Sequence, residues 1–177
     1  MTPDPSSGRA ARIVLLGQMG AGKSSVGRAL AARLGRPFRD NDDELMRRTG
    51  RDAAALAAGL GLDALHACEA DALVALMQEP VPLVLSAAAS VVDTLRRGDL
   101  PDDAFVVWLR ASPAVLAERA SGAGHRPRGL ETEHWFTQTR QRDRHGAALA
   151  DLVVDTDGRA VSEVVDSIAQ ALPRHPR

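Results

Sequence analysis

Lys23 is the only lysine in the chain; the other 21 of its 22 basic residues are arginines. A sequence that uses arginine wherever a cation will serve, yet keeps one lysine, marks a place where a compact ammonium must enter a tight loop. That place is GQMGAGKS at 17–24, which satisfies G-x-x-x-x-G-K-[ST]. In such a loop the glycines let backbone N–H groups turn inward around phosphate oxygens. The helix that follows adds the positive end of its dipole. Lys23 would bridge the outer phosphates, and the Ser24 hydroxyl would serve Mg²⁺.

Asp40 and Asp42 are the next groups able to do chemistry. They follow a brief expected strand at 37–39, and in an open α/β sheet the carboxyl ends of strands face the ligand crevice. Two carboxylates spaced i, i+2 at a strand end point the same way, so one can serve a metal and the other an acceptor hydroxyl. Asp40, Asn41 and Asp42 equally suit a helix N-cap.

These side chains converge only if the loop joins a strand to a helix, and the flanking pattern supplies both. RIVLL at 12–16 is a β-rich run ending in glycine, and 24–34 places Val26, Leu30, Ala31 and Leu34 on one helical face. Further helices are expected at 43–48, 53–58, 62–77, 91–97, 113–120, 133–144 and 161–172. Strands are expected at 37–39, 81–86, 104–109 and 151–155. SGAGHRPRG at 121–129 reads as a glycine-rich, basic loop. Apolar runs alternating with helical patterns predict an α/β fold with a mainly parallel sheet. The expected organisation is a disordered lead-in at 1–11, a single domain at 12–172 and a tail at 173–177.

Composition narrows the function classes. A hydrophobic fraction of 45% and a charged fraction of 25% are those of a globular chain. The formal net charge of -1 gives no electrostatic case for nucleic acid. Cys68 is the single cysteine, which rules out an internal disulfide framework or a cysteine-based zinc site. No run approaches the roughly 20 apolar residues of a membrane span, so the expectation is a cytoplasmic monomer without membrane or nucleic-acid partners.

Taken together, GQMGAGKSSVGR at 17–28, LGRPFRDND at 34–42, RRTG at 47–50, ASPAVLAER at 111–119, Arg126-Pro127 and ADLVVDTD at 150–157 resemble the shikimate kinase family, in order and over 12–172. The resemblance implies a P-loop kinase fold of three layers, with a five-stranded parallel sheet flanked by helices and a lid at about 121–130. It implies ATP and Mg²⁺ as cofactors and transfer of the γ-phosphate to a ring hydroxyl of shikimate. By that resemblance Gly20, Ala21, Gly22, Lys23, Ser24 and Ser25 hold the ATP phosphates. Ser24 and Asp40 take the metal side, Arg126 reaches the phosphates from the lid, and Arg159 falls near the adenine-side arginine. Asp42 matches the carboxylate that binds acceptor hydroxyls and orients or deprotonates the attacking oxygen.

The acceptor half departs from the family pattern. Ala87, Ala88 and Ala89 stand where the family has a G-G-G turn, His66 stands for an arginine in G-E-x-x-F-R, and Ala147 is aligned with an arginine in P-L-Y-R-E. Loss of one partner of a buried arginine–carboxylate pair costs on the order of 2–5 kcal/mol. The primary expectation is therefore a kinase for a small hydroxylated molecule with altered acceptor specificity, Lys23, Asp42 and Arg126 being catalytic and Asp42, His66 and Ala88 lining the acceptor. Two alternatives stay open. One is shikimate kinase proper, with Arg128, Arg140 or Arg142 holding the carboxylate; the other is a nucleotide-binding protein without kinase activity.

Overall fold

The computed structural model describes residues 11–122 and 133–173. Five strands form one sheet: β1 (Arg12–Gly17), β2 (Phe38–Asp40), β3 (Leu83–Ser86), β4 (Ala104–Arg110) and β5 (Leu152–Asp155). The order is β2-β3-β1-β4-β5 and every pairing is parallel. All five carboxyl ends therefore lie along one edge, with β1 in the middle. The described helices are α1 (Lys23–Leu34), α2 (Asn41–Thr49), α3 (Ala53–Leu60), α4 (Leu62–Met77), α5 (Pro113–Gly122), α6 (Glu133–Leu149) and α7 (Val161–Ala171). None of them is long and apolar enough to cross a membrane.

Strand alternation splits the core in two. Ile13, Leu15, Val107 and Leu109 pack with α1 and α7 residues such as Leu30 and Ile168 on one face. Val14, Leu16, Val106 and Trp108 pack with α4 and α6 residues such as Leu73 and Leu149 on the other. Leu45, Leu56 and Leu65 form a smaller cluster that ties α2, α3 and α4 together.

Two elements differ from the expectations. In place of a helix at 91–97 there are two 3₁₀ turns, Ala89–Asp93 and Arg97–Asp99; the β-branched Val91, Val92 and Thr94, and then Gly98, make that stretch a poor α-helix former. Helix α6 runs past Arg144 to Leu149, because Gly146, which would ordinarily weaken it, lets its backbone pack against the Trp108 ring. Helix α5 extends to Gly122. The rest of the expected lid, with Arg126 and Arg128, lies outside the described residues, as do most of the lead-in and tail.

Candidate active site

The phosphate loop leaves β1 at Gly17 and enters α1 at Lys23. Gly22, the N-cap, has φ of 93°, a left-handed conformation that glycine takes without steric cost. No side chain caps this helix, so its first N–H groups are available to an anion. Lys23 Nζ donates to Gly17 O at 2.8 Å and to Gln18 O at 3.0 Å. Burial of the ammonium lowers its pKa to about 8, against the pull of Asp42, Asp40 and Glu69 and with help from Arg142. The loop is tied to its neighbours by Gln18 Nε2 donating to Thr139 O on α6 at 3.1 Å.

Asp40 stands at the strand end, as expected, and is also a helix N-cap. It is the last residue of β2 and the N-cap of α2, accepting from Asp42 N at 3.1 Å. Its other oxygen accepts from Ser24 Oγ at 2.6 Å. Asp42 is not a strand residue in step with Asp40: it sits in the exposed first turn of α2, where its charge still acts on Lys23.

Arg159, expected by resemblance near the adenine, donates to Asp155 O, Glu163 O and Ser167 Oγ, fastening β5 to α7. The arginine that reaches the loop is Arg119 at the end of the ASPAVLAER stretch. It donates to Gly20 O at 3.3 Å, to Thr156 Oγ1 at 3.2 Å and to Thr156 O at 3.1 Å. The motif contained the signal for this residue, but its role depends on α5 lying across the loop.

The acceptor side differs most from the sequence expectation. Ala88 has φ of -60°, a conformation open to any residue, so no strain follows from alanine there. Its methyl and that of Ala87 belong to the hydrophobic cluster. Ala147 packs against that cluster too, so its side chain is directed to the core. The α6 residue that approaches the site is Arg142, whose charge acts on both Lys23 and Glu69. Its side chain is 18% exposed. Asp93 accepts from its Nε at 2.7 Å and from its Nη2 at 2.5 Å, leaving three of five N–H donors without a partner among the described residues. His66 is exposed on α4, one turn before the buried Glu69, on which its charge acts. Burial raises the Glu69 pKa, and a hydrogen bond from Ser90 opposes the rise. Sequence reasoning did not single out Glu69 or Ser90.

The chain with this phosphate loop is similar in sequence and in fold to known proteins. The profile of the shikimate kinase family matches residues 19–173. A shikimate kinase of Caulobacter vibrioides is 36% identical over 166 residues, covering 93% of this chain and 83% of that protein. One from Thioalkalivibrio sulfidiphilus is 34% identical over 162 residues, covering 89% and 85%. The solved structure of shikimate kinase from Acinetobacter baumannii in complex with shikimate superposes with a TM-score of 0.79 at 29% identity, covering 90% of this chain and 91% of that one. A gluconokinase from Sinorhizobium meliloti 1021 reaches 0.58 at 25% identity, over 89% and 88%. The family profile and the near-full-length similarity in sequence and fold show that the chain belongs to the shikimate kinase family, ATP-binding kinases with a P-loop fold.

Proposed function

We propose that the chain transfers the γ-phosphoryl group of ATP to a ring hydroxyl of shikimate, a small hydroxylated acid. The observation that carries this reading is Arg142. A mostly buried guanidinium with unspent donors, close enough to act on Lys23 and Glu69, is what an acceptor carboxylate requires. The alanines at 88 and 147 offer no argument against such an acceptor, since their methyls pack in or against the core. The solved relative from Acinetobacter baumannii with shikimate bound lends further support.

In this reading Gly20 to Ser25 cradle the ATP phosphates, and Lys23 leaves its carbonyls to meet the outer ones. Asp42 orients the attacking hydroxyl and takes its proton as the new O–P bond forms and the bond from γ-phosphorus to the β,γ-bridging oxygen breaks, releasing ADP. Arg126 is assigned to the transferring phosphoryl group and Arg159 to the nucleotide side. Ser24 and Asp40 are the residues that would hold Mg²⁺. Among the described residues no three His, Cys, Asp or Glu side chains are grouped so as to hold a metal ion by themselves, and a hydroxyl–carboxylate pair suits an ion that takes its other ligands from phosphate and water. When bound, the ion neutralises charge on the phosphates.

A second reading, altered acceptor specificity, is favoured by His66 standing where the resemblance puts an arginine. An imidazole grips a carboxylate less firmly than a guanidinium fork. ADP release measured with ATP, Mg²⁺ and either shikimate or a panel of polyols, cyclitols and gluconate separates the two. Saturable turnover with shikimate is expected; turnover with a panel member and none with shikimate would establish the second reading instead.

A further inference from the structure

The 3₁₀ turn Ala89–Asp93 follows β3 at the edge where the site is built. In a 3₁₀ helix residues i and i+3 eclipse, so Ser90 and Asp93 present their side chains on one side. Each engages a charged group of the acceptor cleft. The Ser90 hydroxyl donates to Glu69 Oε2, and Asp93 accepts from Arg142 through two atoms. One short turn therefore fastens an anion from α4 and a cation from α6.

Glu69 is held from a second direction as well: its backbone oxygen accepts from the fully buried Asn41 Nδ2 at 3.2 Å. Its Oε1 has no hydrogen-bond partner among the described residues and is not among their sealed, unsatisfied atoms. The charged groups facing Glu69 are His66 from its own helix, Asp42 from α2, Arg142 from α6 and Lys23 from α1. Glu69 and Arg142 are opposite charges in a weakly solvated space, where attraction is strong. Left unrestrained they would pair, and the cleft would lose its anion grip and its hydroxyl acceptor together.

We propose that Ser90 and Asp93 are positioning residues for acceptor recognition, which hold Glu69 and Arg142 apart so that each keeps donors or acceptors for the substrate. This rests on the shikimate reading above. An acceptor carrying a carboxylate and vicinal hydroxyls needs both groups unspent; a simple polyol needs only the carboxylates.

The test is steady-state kinetics of Ser90→Ala and Asp93→Ala in the full chain, with Ser90→Thr and Asp93→Glu as conservative partners. Each alanine variant is expected to raise KM for shikimate roughly ten-fold, the scale of one hydrogen bond to a charged group. KM for ATP and kcat should stay within about two-fold. Threonine at 90 should restore KM. In a Glu69→Gln background Ser90→Ala should add almost nothing, because the two act as one unit. Unshifted KM for shikimate in the alanine variants, or equal losses in both substrates and kcat, would overturn the proposal while leaving the kinase reading intact. If both alanine variants fail to fold, threonine at 90 and glutamate at 93 decide the matter. They keep the hydroxyl or carboxylate, so a ten-fold rise in KM for them would overturn it. A wild-type protein inactive on shikimate overturns both readings.

Discussion

Lys23 rests its ammonium on two backbone carbonyls and no carboxylate, which is why burial brings its pKa to about 8. Because the folded value lies below the ordinary 10.5, the charged form is penalised below pH 8. That penalty is relieved as pH rises from 8 to 10.5. A polyphosphate replaces the carbonyls with negative charge and raises the pKa again, so binding above pH 8 takes up a proton. ATP affinity is expected to fall toward ten-fold per pH unit between 8 and 9.5. Titration calorimetry in two buffers of different ionisation enthalpy should find uptake approaching one proton per ATP near pH 9. Affinity flat across that range would refute it, and Lys23→Met should abolish the slope along with most turnover. Arg142 supplies a second residue-scale prediction. Arg142→Ala should raise KM for shikimate by tens to thousands of fold, and lysine should rescue only partly because it lacks the planar fork. A KM within two-fold of wild type would remove the basis of the acceptor assignment.

Helix α6 owes its placement to one close approach. Trp108 is 1% exposed, and its Nε1 donates to Asp143 Oδ1 at 2.7 Å. The Gly146 backbone lies so near the ring that a Cβ there would stand 2.6 Å from Cδ2. Glycine costs a helix interior about 0.5–1 kcal/mol relative to alanine, and here that loss lets α6 seat on β4. Gly146→Ala should destabilise the fold by about 1–3 kcal/mol through overpacking. It should also raise KM for shikimate more than KM for ATP, because Arg142 is one turn away on the displaced helix. Thermal denaturation with kinetics at 25 °C checks both parts; a more stable variant with wild-type KM would contradict the packing argument.

At the scale of the whole molecule, the sheet is covered on both faces by separate apolar clusters, and the polar chemistry gathers along its carboxyl edge. Ligands bound there, as proposed, would join the phosphate loop, α2, α4 and α6, and occupancy would add to global stability by mass action. ATP at a hundred times its Kd contributes about 2.7 kcal/mol, which for a chain of this size is a rise in Tm of roughly 5–10 °C. Thermal shift with and without nucleotide measures it. The rise should vanish in Lys23→Met at the same ATP concentration; an equal rise in that variant would place nucleotide elsewhere.

The phosphate loop was legible in the sequence because its chemistry lies in consecutive residues, and backbone geometry alone aims the N–H groups. The parallel α/β architecture was legible too, from apolar strands alternating with helical periods. The proposed acceptor site was not, because Glu69, Ser90 and Arg142 come from α4, a 3₁₀ turn and α6, and what each faces depends on how its element is rotated. On α6 the packing of Gly146 on Trp108 sets that rotation. Ala147 lies about 140° around the helix from Arg142, so the one packs against the core while the other turns to Asp93. Motif alignment had assigned the lost arginine to 147 and left Arg142 as one of three alternatives. Local backbone chemistry thus determined the shape of the phosphate loop, and tertiary packing alone decided which charges gather beside Lys23.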